Sequence, residues 1–304
     1  SLKVDDVVVA LKVFREALFI FCENRIFKLT GSTLSDFAVQ PVTRNIGCIN
    51  GDTVQEFGGD LIFLGPDGLR TVAGTAKIGD VNIGTISSNV QNIFDENISE
   101  SALFDSLVIP DKTQYRVFFS KDGQAQTLTE GVVCVLKSQS SGGMGYEFST
   151  LKGIKPAATD STLVSGDVIC IHGGFDGYIY RQEQGNDFDG TAISGKYRSS
   201  DLTMQDPGIR KHMQRVIVNF KPDAAIDADL FVRYDYEAGT AARPAAYPLD
   251  SVQVSAVYGT DTYGSTATYD GQSQPLLRQP VEGSGFAVAL RVNDDGTTAP
   301  YSLK

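Results

Sequence analysis

The stretch DLIFLGPDGLRTVAG, residues 60–74, indicates the fold of the first part of the chain. An apolar run leads into Asp67-Gly68, and a second apolar run follows. This pattern predicts a β-hairpin, because a type I′ turn needs positive φ at both central residues and Asp-Gly tolerates it. The pattern returns around Asp122-Gly123 and Asp176-Gly177, at a near-constant interval of about 55 residues. A hairpin recurring at constant spacing predicts a repeated β unit.

Four segments share this order of apolar strand, turn and second strand. They are ALFIFCENRIFKLTG (17–31), DLIFLGPDGLRTVAG (60–74), YRVFFSKDGQAQTLTEG (115–131) and DVICIHGGFDGYIYRQEQG (167–185). In the first, Glu23-Asn24 replaces Asp-Gly, and asparagine also tolerates the left-handed conformation. A repeat of about 40–55 residues with about four strands matches a β-propeller blade. Because the first copy begins so early, we expect the repeat array to start upstream of Ser1, as in a processed or partial chain.

The pattern changes near residue 190. Residues 215–222 and 226–237 predict two strands joined as a hairpin with Pro222-Asp223 at its tip, and residues 251–259 and 285–293 alternate between apolar and polar. These strands predict an antiparallel β-sandwich. The expected organisation is therefore all-β: a β-propeller-like domain over residues 1–192, which is expected to be an incomplete propeller, and a β-sandwich domain over residues 193–304. Short helices are predicted only at 88–97 and 99–106.

Charge and composition exclude some function classes. The chain has 304 residues, a formal net charge of −11 and 41% hydrophobic residues. An acidic surface disfavours non-specific binding to nucleic-acid phosphates, yet it would suit a passage through which DNA slides without sticking. No apolar run approaches the ~18 residues of a membrane span, so no stable membrane insertion is expected.

Reactive constellations are not visible in the sequence. The two histidines, His172 and His212, accompany neither a GxSxG motif nor a Cys/His zinc pattern. The segment NDFDG (186–190) lacks the distal glutamate of a calcium loop and predicts a turn instead. We therefore predict no catalytic residues, no metal and no cofactor.

Four cysteines without a CxxC pair are expected to be buried thiols of a protein folded in the cytosol, and they are Cys22, Cys48, Cys134 and Cys170. The aspartates of the Asp-Gly pairs, Asp67, Asp122 and Asp176, are expected in exposed turns without a ligand.

Two segments are candidates for contacts between subunits. The basic cluster IRKHMQR (209–215) contains Arg210, Lys211 and Arg215, and it is either a solvated stretch before a strand or a docking site for an acidic neighbour. The segment YGTDTYGSTATYDG (258–271) is either a long surface loop or a partner contact, since tyrosine supplies large amphipathic contact area. Its candidate contact residues are Tyr258, Tyr263 and Tyr269.

Several sequence segments of the chain are similar to segments of β-propeller virion proteins of tailed bacteriophages. They are VQEFGGDLIFLGPDGLRTVAGTAKIGDV (54–81), DKTQYRVFF (111–119), FDGYIYRQEQGNDFDGTAI (175–193), RSSDLTMQDPGIRKHMQRVIVNFKPD (198–223) and EGSGFAVALRV (282–292). The nearest comparison is the tail tubular or nozzle protein of short-tailed phages, although related propellers occur in necks and baseplates.

This resemblance implies a structural, non-enzymatic protein of the virion tail, assembled in the host cytoplasm. It implies a homo-oligomeric ring, commonly sixfold, that contacts other tail or neck proteins such as an adaptor or fibres and lets DNA pass. The alternative is a carbohydrate- or host-receptor-binding propeller of the tail-spike or tail-fibre type. Such sites favour aromatic platforms, and the chain has no tryptophan.

Overall fold

The chain forms an all-β protein, as the sequence predicts. The computed structural model describes residues 3–33, 35–73, 85–121, 129–138, 144–185, 187–222, 228–237, 243–249, 276–295 and 301–303. Nearly all of the regular structure in these ranges is antiparallel β-sheet. Two compact units are present, Ser1–Gln184 and Gly185–Lys304. Their boundary lies slightly before the position between 192 and 193 that the sequence suggests.

Four consecutive antiparallel sheets build the first unit, and we call them blades 1 to 4. Blade 1 contains β1 (Val8–Phe14), β2 (Ala17–Cys22), β3 (Ile26–Thr30) and β4 (Ala38–Thr43). Blade 2 contains β5 (Gln55–Phe57), β6 (Asp60–Gly65) and β7 (Gly68–Thr71). Blade 3 contains β8 (Ser101–Ile109), β9 (Gln114–Lys121), β10 (Thr129–Ser138) and β11 (Met144–Leu151), and blade 4 contains β12 (Pro156–Val164), β13 (Asp167–Gly174) and β14 (Ile179–Arg181). In every blade the neighbouring strands follow one another along the chain, which is the up-and-down order of propeller blades.

The four hairpins predicted from the sequence occupy equivalent positions in this array. They are β2–β3, β6–β7, β9–β10 and β13–β14, the second and third strands of each blade. The internal repeat is therefore confirmed as the blade. The pair Asp122-Gly123 lies outside the described residues.

The type I′ geometry predicted for the Asp-Gly pairs is wrong at both of the pairs that the structure describes. In β6–β7 the turn residues are Pro66-Asp67, and of the Asp67-Gly68 pair only Gly68 has positive φ, at 121°. In β13–β14 only Gly177 does, at 89°, as in a three-residue loop that ends in a left-handed glycine. Asn24 does not adopt positive φ either. In both hairpins the glycine alone adopts positive φ, because it does so without steric strain. The Asp-Gly dipeptide by itself does not show which of its two residues adopts positive φ.

Type I′ turns occur at other places in the chain. Two consecutive positive φ angles link adjacent strands at Arg15-Glu16, Gly58-Gly59, Ser165-Gly166 and Asp189-Gly190. Three of the four contain glycine, as the steric cost of positive φ requires. The exception, Arg15-Glu16, places φ of 45° and 62° on two residues with side chains.

We expect Glu16→Gly to stabilise the protein by about 0.5–1 kcal/mol. Glycine adopts φ of 62° without the clash between Cβ and backbone, although it has more freedom to lose on folding. Urea denaturation measures this gain. Glu23→Gly, in the β2–β3 turn where φ is not positive, is the matched control and should be neutral or destabilising.

Each of the first two blade junctions buries apolar side chains from facing sheets. Between blades 1 and 2, Phe21 packs against Phe63 with ring centroids 5.4 Å apart. Between blades 2 and 3, Ile62 and Leu64 join Val117 and neighbouring apolar residues. The strand β6 is therefore buried on both faces, which explains its continuous apolar sequence.

Of the two helices predicted from the sequence, one is present and the other is a strand. A helix, α1 (Gln91–Glu100), follows a 3₁₀ turn at 88–90, close to the predicted 88–97. The predicted helix at 99–106 is wrong, because these residues mostly belong to β8. Ser106 and Leu107 of β8 are buried, and the strand pairs along β9, so a tertiary partner overrides a weak local preference.

The second unit has a β-sandwich core. One sheet contains β17 (Gly195–Arg198), β24 (Val288–Asp294), β20 (Asp229–Tyr234) and β21 (Tyr247–Pro248), and the other contains β22 (Leu276–Pro280), β19 (Arg215–Pro222) and β25 (Tyr301–Leu303). Short pairs are formed by β15 (Asp187–Phe188) with β16 (Thr191–Ala192) and by β18 (Lys211–His212) with β23 (Ser284–Gly285).

Strands β19 and β20 face each other across this core. Val216 of β19 packs in one cluster with Leu230 and Val232 of β20. The hairpin predicted between them is wrong, because β19 pairs with β22 and β25 whereas β20 pairs with β24 and β21. Both strands are apolar, and the sequence alone could not distinguish pairing within a sheet from packing between sheets.

Candidate functional site

The outer face of blade 1 is an apolar sheet surface, and we call it face A. Strand registers place on it Leu11, Val13, Leu18, Ile20, Phe27, Leu29 and Val39. Leu11 and Val13 are 60% and 72% exposed, although both lie within a regular strand. The opposite face of the same blade is buried against blade 2. Ile20, on the same face, is only 9% exposed, so face A has the composition of a blade junction and is exposed chiefly along β1.

The outer face of blade 4 is the second candidate surface, and we call it face B. It carries Ile169, Ile171 and Ile179 together with polar side chains at its edges, Asp160, Thr162 and Arg181. Ile179 is 78% exposed. Blades 1 and 4 are the first and the last of the four described blades, so faces A and B lie at opposite ends of this series.

The junction of blades 3 and 4 is held by charges. The carboxylate of Glu183, just after β14, accepts from the Arg116 guanidinium at 2.6 Å and also pairs with Lys112. Arg116 further donates to the Gln182 side chain at 3.2 Å. Burial opposes ionisation of Glu183, but the hydrogen bond from Lys112 and the charge of Arg116 outweigh it and lower the pKa of this carboxyl.

A half-buried carboxyl lies at the same junction. Asp105 of β8 faces Thr159 of β12, and its Oδ2 has no hydrogen-bond partner among the described residues. Burial raises the pKa of Asp105 to about 6. The ionised form is therefore disfavoured in the folded state, and the carboxyl is a local cost to stability at neutral pH.

We expect Asp105→Asn to stabilise the protein by about 1–2 kcal/mol at pH 7.5 and by almost nothing at pH 4, after allowance for partial exposure. The folded pKa lies above the unfolded value, so the stability of the native protein falls as pH rises from about 4 through 6. The asparagine variant lacks that fall. Urea denaturation across pH 4–8 measures the difference, and Asp160→Asn, an exposed aspartate of β12, controls for removal of a charge. A gain that is equal at all pH values would contradict the assignment.

The basic segment predicted as a contact lies in the second unit. Arg210 and Arg215 are exposed, and the Arg210 guanidinium lies 5.7 Å from the centre of the Phe286 ring. Lys211 is half-buried and donates to the carbonyl oxygens of Asp206 and Phe286. Arg210 also donates from Nη2 to the carbonyl oxygen of Ser284 at 3.3 Å. The segment therefore presents two exposed arginines, and Lys211 holds the local backbone.

The three tyrosines Tyr258, Tyr263 and Tyr269 lie outside the described residues. Among the residues that the structure describes, no group of three or more His, Cys, Asp or Glu side chains could hold a metal ion. All four cysteines are buried free thiols, as predicted. Within the same ranges no helix has the length and hydropathy of a membrane span.

The predicted exposed aspartates differ from each other. Asp176 is exposed, and it accepts from Tyr180 Oη at 2.6 Å and from the Tyr178 backbone at 3.1 Å. Asp67 is half-buried and forms an ion pair with Arg70, whose side chain is fully buried. For Asp67 the exposed-turn prediction is therefore wrong: the turn carries an internal charge pair.

Sequence reasoning missed faces A and B. The alternation of Leu11 with Val13 and of Leu18 with Ile20 is visible in the sequence and marks one sheet face as apolar. It could not show that this face is exposed, since a covered face has the same pattern.

No family model matches the chain, and no curated protein matches it. Among solved structures, the chain has a likeness to the exo-β-1,3-galactanase Pc1,3Gal43A from Phanerochaete chrysosporium with galactose, at 7% identity. The likeness covers 96% of this chain and 78% of that chain, with a TM-score of 0.28. At that TM-score it supports no conclusion about fold or activity.

Proposed function

We propose that this chain is a structural protein of a tailed-bacteriophage virion, which assembles as a homo-oligomer in the tail or neck. The observation that carries the proposal is a coincidence of two features. Segments similar in sequence to phage propeller proteins occur along nearly the whole chain, and the blade-like sheets of the first unit are formed in part by those segments. A structural protein of this kind functions through its shape and through its contacts with other proteins.

The surfaces of the described residues support an assembly role. Face A is apolar and is exposed along β1 at Leu11 and Val13, and exposed apolar patches mark protein contact sites. Arg210 and Arg215 provide a positive segment on a chain of net charge −11, suited to an acidic surface of a neighbouring subunit or tail protein. The acidic character also suits a channel through which DNA passes without binding.

Immunogold electron microscopy of phage particles tests this proposal. Antibodies against the purified chain should label one tail or neck position, in a ring whose copy number, sixfold by resemblance, follows from cryo-EM of the labelled part. Antibodies against the capsid are the positional control. Particles that contain none of the protein would refute the virion role.

A carbohydrate-binding propeller is the second candidate function, and one feature favours it. Tyr178 is 68% exposed beside the hydrogen-bonded pair of Asp176 and Tyr180, so an aromatic ring and a carboxylate lie together on the surface. Aromatic rings and carboxylates are groups that sugars contact. A glycan array with the purified protein tests this role, with Tyr178→Ala as the matched variant. Specific binding that the variant loses would favour this function over the structural one.

A further inference from the structure

We propose that the junction of blades 3 and 4 is a charge latch, which lets blade 4 open by itself while blades 1 to 3 stay closed. The latch consists of the Glu183 carboxylate and the two cations that it meets, Arg116 of β9 and Lys112 of the turn before β9. All three residues belong to the first unit, and the latch does not depend on the proposed function.

The face of blade 4 that meets blade 3 is largely polar. Strand register places Thr159, Ser161, Cys170 and His172 on it, and Ser161 Oγ donates to the carbonyl oxygen of Val108 in β8 at 2.7 Å. The two hydrophobic clusters among the described residues of the first unit join blade 1 to 2 and blade 2 to 3, and neither includes a residue of blade 4. Polar contacts thus hold blade 4 where apolar packing holds the other blades.

Glu183 connects blade 4 to a buried cation. Its Oε1 lies 2.6 Å from Nη2 of Arg116, whose side chain is only 8% exposed, and its Oε2 accepts from Lys112. The same guanidinium donates from Nη1 to Oε1 of Gln182 at 3.2 Å. Because a buried cation is costly without its counter-charge, the Glu183 carboxylate contributes more to this junction than an exposed ion pair would.

The backbone at Glu183 is strained. Its φ is 62°, in the left-handed region that residues with a Cβ atom rarely adopt. Such a conformation persists only where the surrounding contacts hold it, and this side chain is held by its ion pairs with Arg116 and Lys112. Loss of the charge on Glu183 removes the ion pairs and leaves the strain, so both effects favour opening.

Three buried thiols report separately on the three junctions. Cys48 belongs to the apolar cluster between blades 1 and 2, Cys134 belongs to the cluster between blades 2 and 3, and Cys170 lies on the face of blade 4 that meets blade 3. Each is at most 2% exposed, so a thiol reagent reaches it only when its junction opens. Alkylation of the native protein with iodoacetamide, followed by digestion and mass spectrometry, gives a rate for each cysteine.

Glu183→Gln removes the charge of the latch with little change in side-chain shape. We expect this variant to raise the alkylation rate of Cys170 about tenfold over the wild type, and to leave the rates of Cys48 and Cys134 unchanged. In the wild type, Cys170 should already react faster than the other two thiols. The unchanged rates at Cys48 and Cys134 show at the same time that blades 1 to 3 remain folded in the variant.

Two further variants separate the charge pair from other effects. Glu147→Gln is the matched control, because it removes a carboxylate of blade 3 from its ion pair with Lys137, in which both side chains are 63% exposed. This variant should leave the rate of Cys170 as in the wild type. Arg116→Met combined with Glu183→Met removes both charges of the buried pair, so it should return Cys170 toward the wild-type rate.

Any of four outcomes would overturn the latch. They are equal increases at all three cysteines in Glu183→Gln, no increase at Cys170, an increase at Cys170 that is as large in Glu147→Gln, and an increase that the double variant keeps in full. The first would show global unfolding, and the last would show that side-chain shape, and not charge, holds blade 4. Immunogold labelling of phage particles decides the proposed function separately, since it does not depend on how blade 4 is held.

Discussion

Asp67→Ala is expected to lower the free energy of unfolding by about 3 kcal/mol. The Arg70 guanidinium is fully buried, and it donates from Nε to Asp67 Oδ1 at 2.8 Å and from Nη2 to Oδ2 at 2.5 Å. Removal of the carboxylate takes away the acceptor of both hydrogen bonds and the negative charge that pairs with this buried cation. The loss should be seen in urea denaturation at pH 7.

The pH dependence of this loss has a definite sign. Burial opposes ionisation of Asp67, but the hydrogen bonds and charge of Arg70 outweigh it and lower the pKa of the carboxyl. A depressed folded pKa gives stability that is present above the unfolded value of about 3.9 and lost as pH falls through the folded pKa. The difference between Asp67→Ala and the wild type should therefore shrink in acid.

Two further variants isolate the ion pair. Asp176→Ala removes the equivalent aspartate from the exposed turn of blade 4 and should cost well under half as much, since no buried cation depends on it. Asp67→Ala combined with Arg70→Met should recover much of the loss, because an apolar side chain of similar length replaces the buried cation that has lost its ion pair with Asp67. Equal losses in Asp67→Ala and Asp176→Ala would show that the turn, and not the charge pair, is responsible.

Phe63→Ala should cost about 3–5 kcal/mol, the largest effect of a single truncation that we expect in the first unit. Phe63 is completely buried, and its ring meets Phe21 of blade 1 at 5.4 Å between centroids. Truncation removes the apolar contact and leaves a cavity where two blades meet. Denaturation by urea measures the loss, and hydrogen exchange should show that β2 and β6 lose protection.

The control for Phe63 is a phenylalanine outside a junction. Phe286 is 44% exposed, so Phe286→Ala should cost less than about 1 kcal/mol. Phe63→Leu should retain part of the buried area and fall between the two. If Phe63→Ala and Phe286→Ala lost the same stability, the packing between blades 1 and 2 would not be the source of the cohesion of this unit.

The blade repeat could be predicted from the sequence because its signals are local. A turn that contains a glycine with positive φ is recognisable from three or four consecutive residues. An apolar run such as 61–64 indicates a strand buried on both faces. The conformation of each turn could not be predicted, since Pro66-Asp67 and Phe175-Asp176-Gly177 share an Asp-Gly pair and still differ in loop length.

Contacts between distant segments were decided by tertiary structure. A strand period of two residues shows which side chains share a face, so Leu11 and Val13 were recognisable as a pair. It does not show what covers that face. It also does not show that β19 packs against β20 across the core and does not pair with it in one sheet. It also could not show that Arg70 is buried behind the Asp67 turn. The sequence by itself determined the strands, the repeat and the all-β class, because these depend on neighbouring residues. The burial of charges and the exposure of faces A and B were decided only in the tertiary structure, because both depend on which sheets stack.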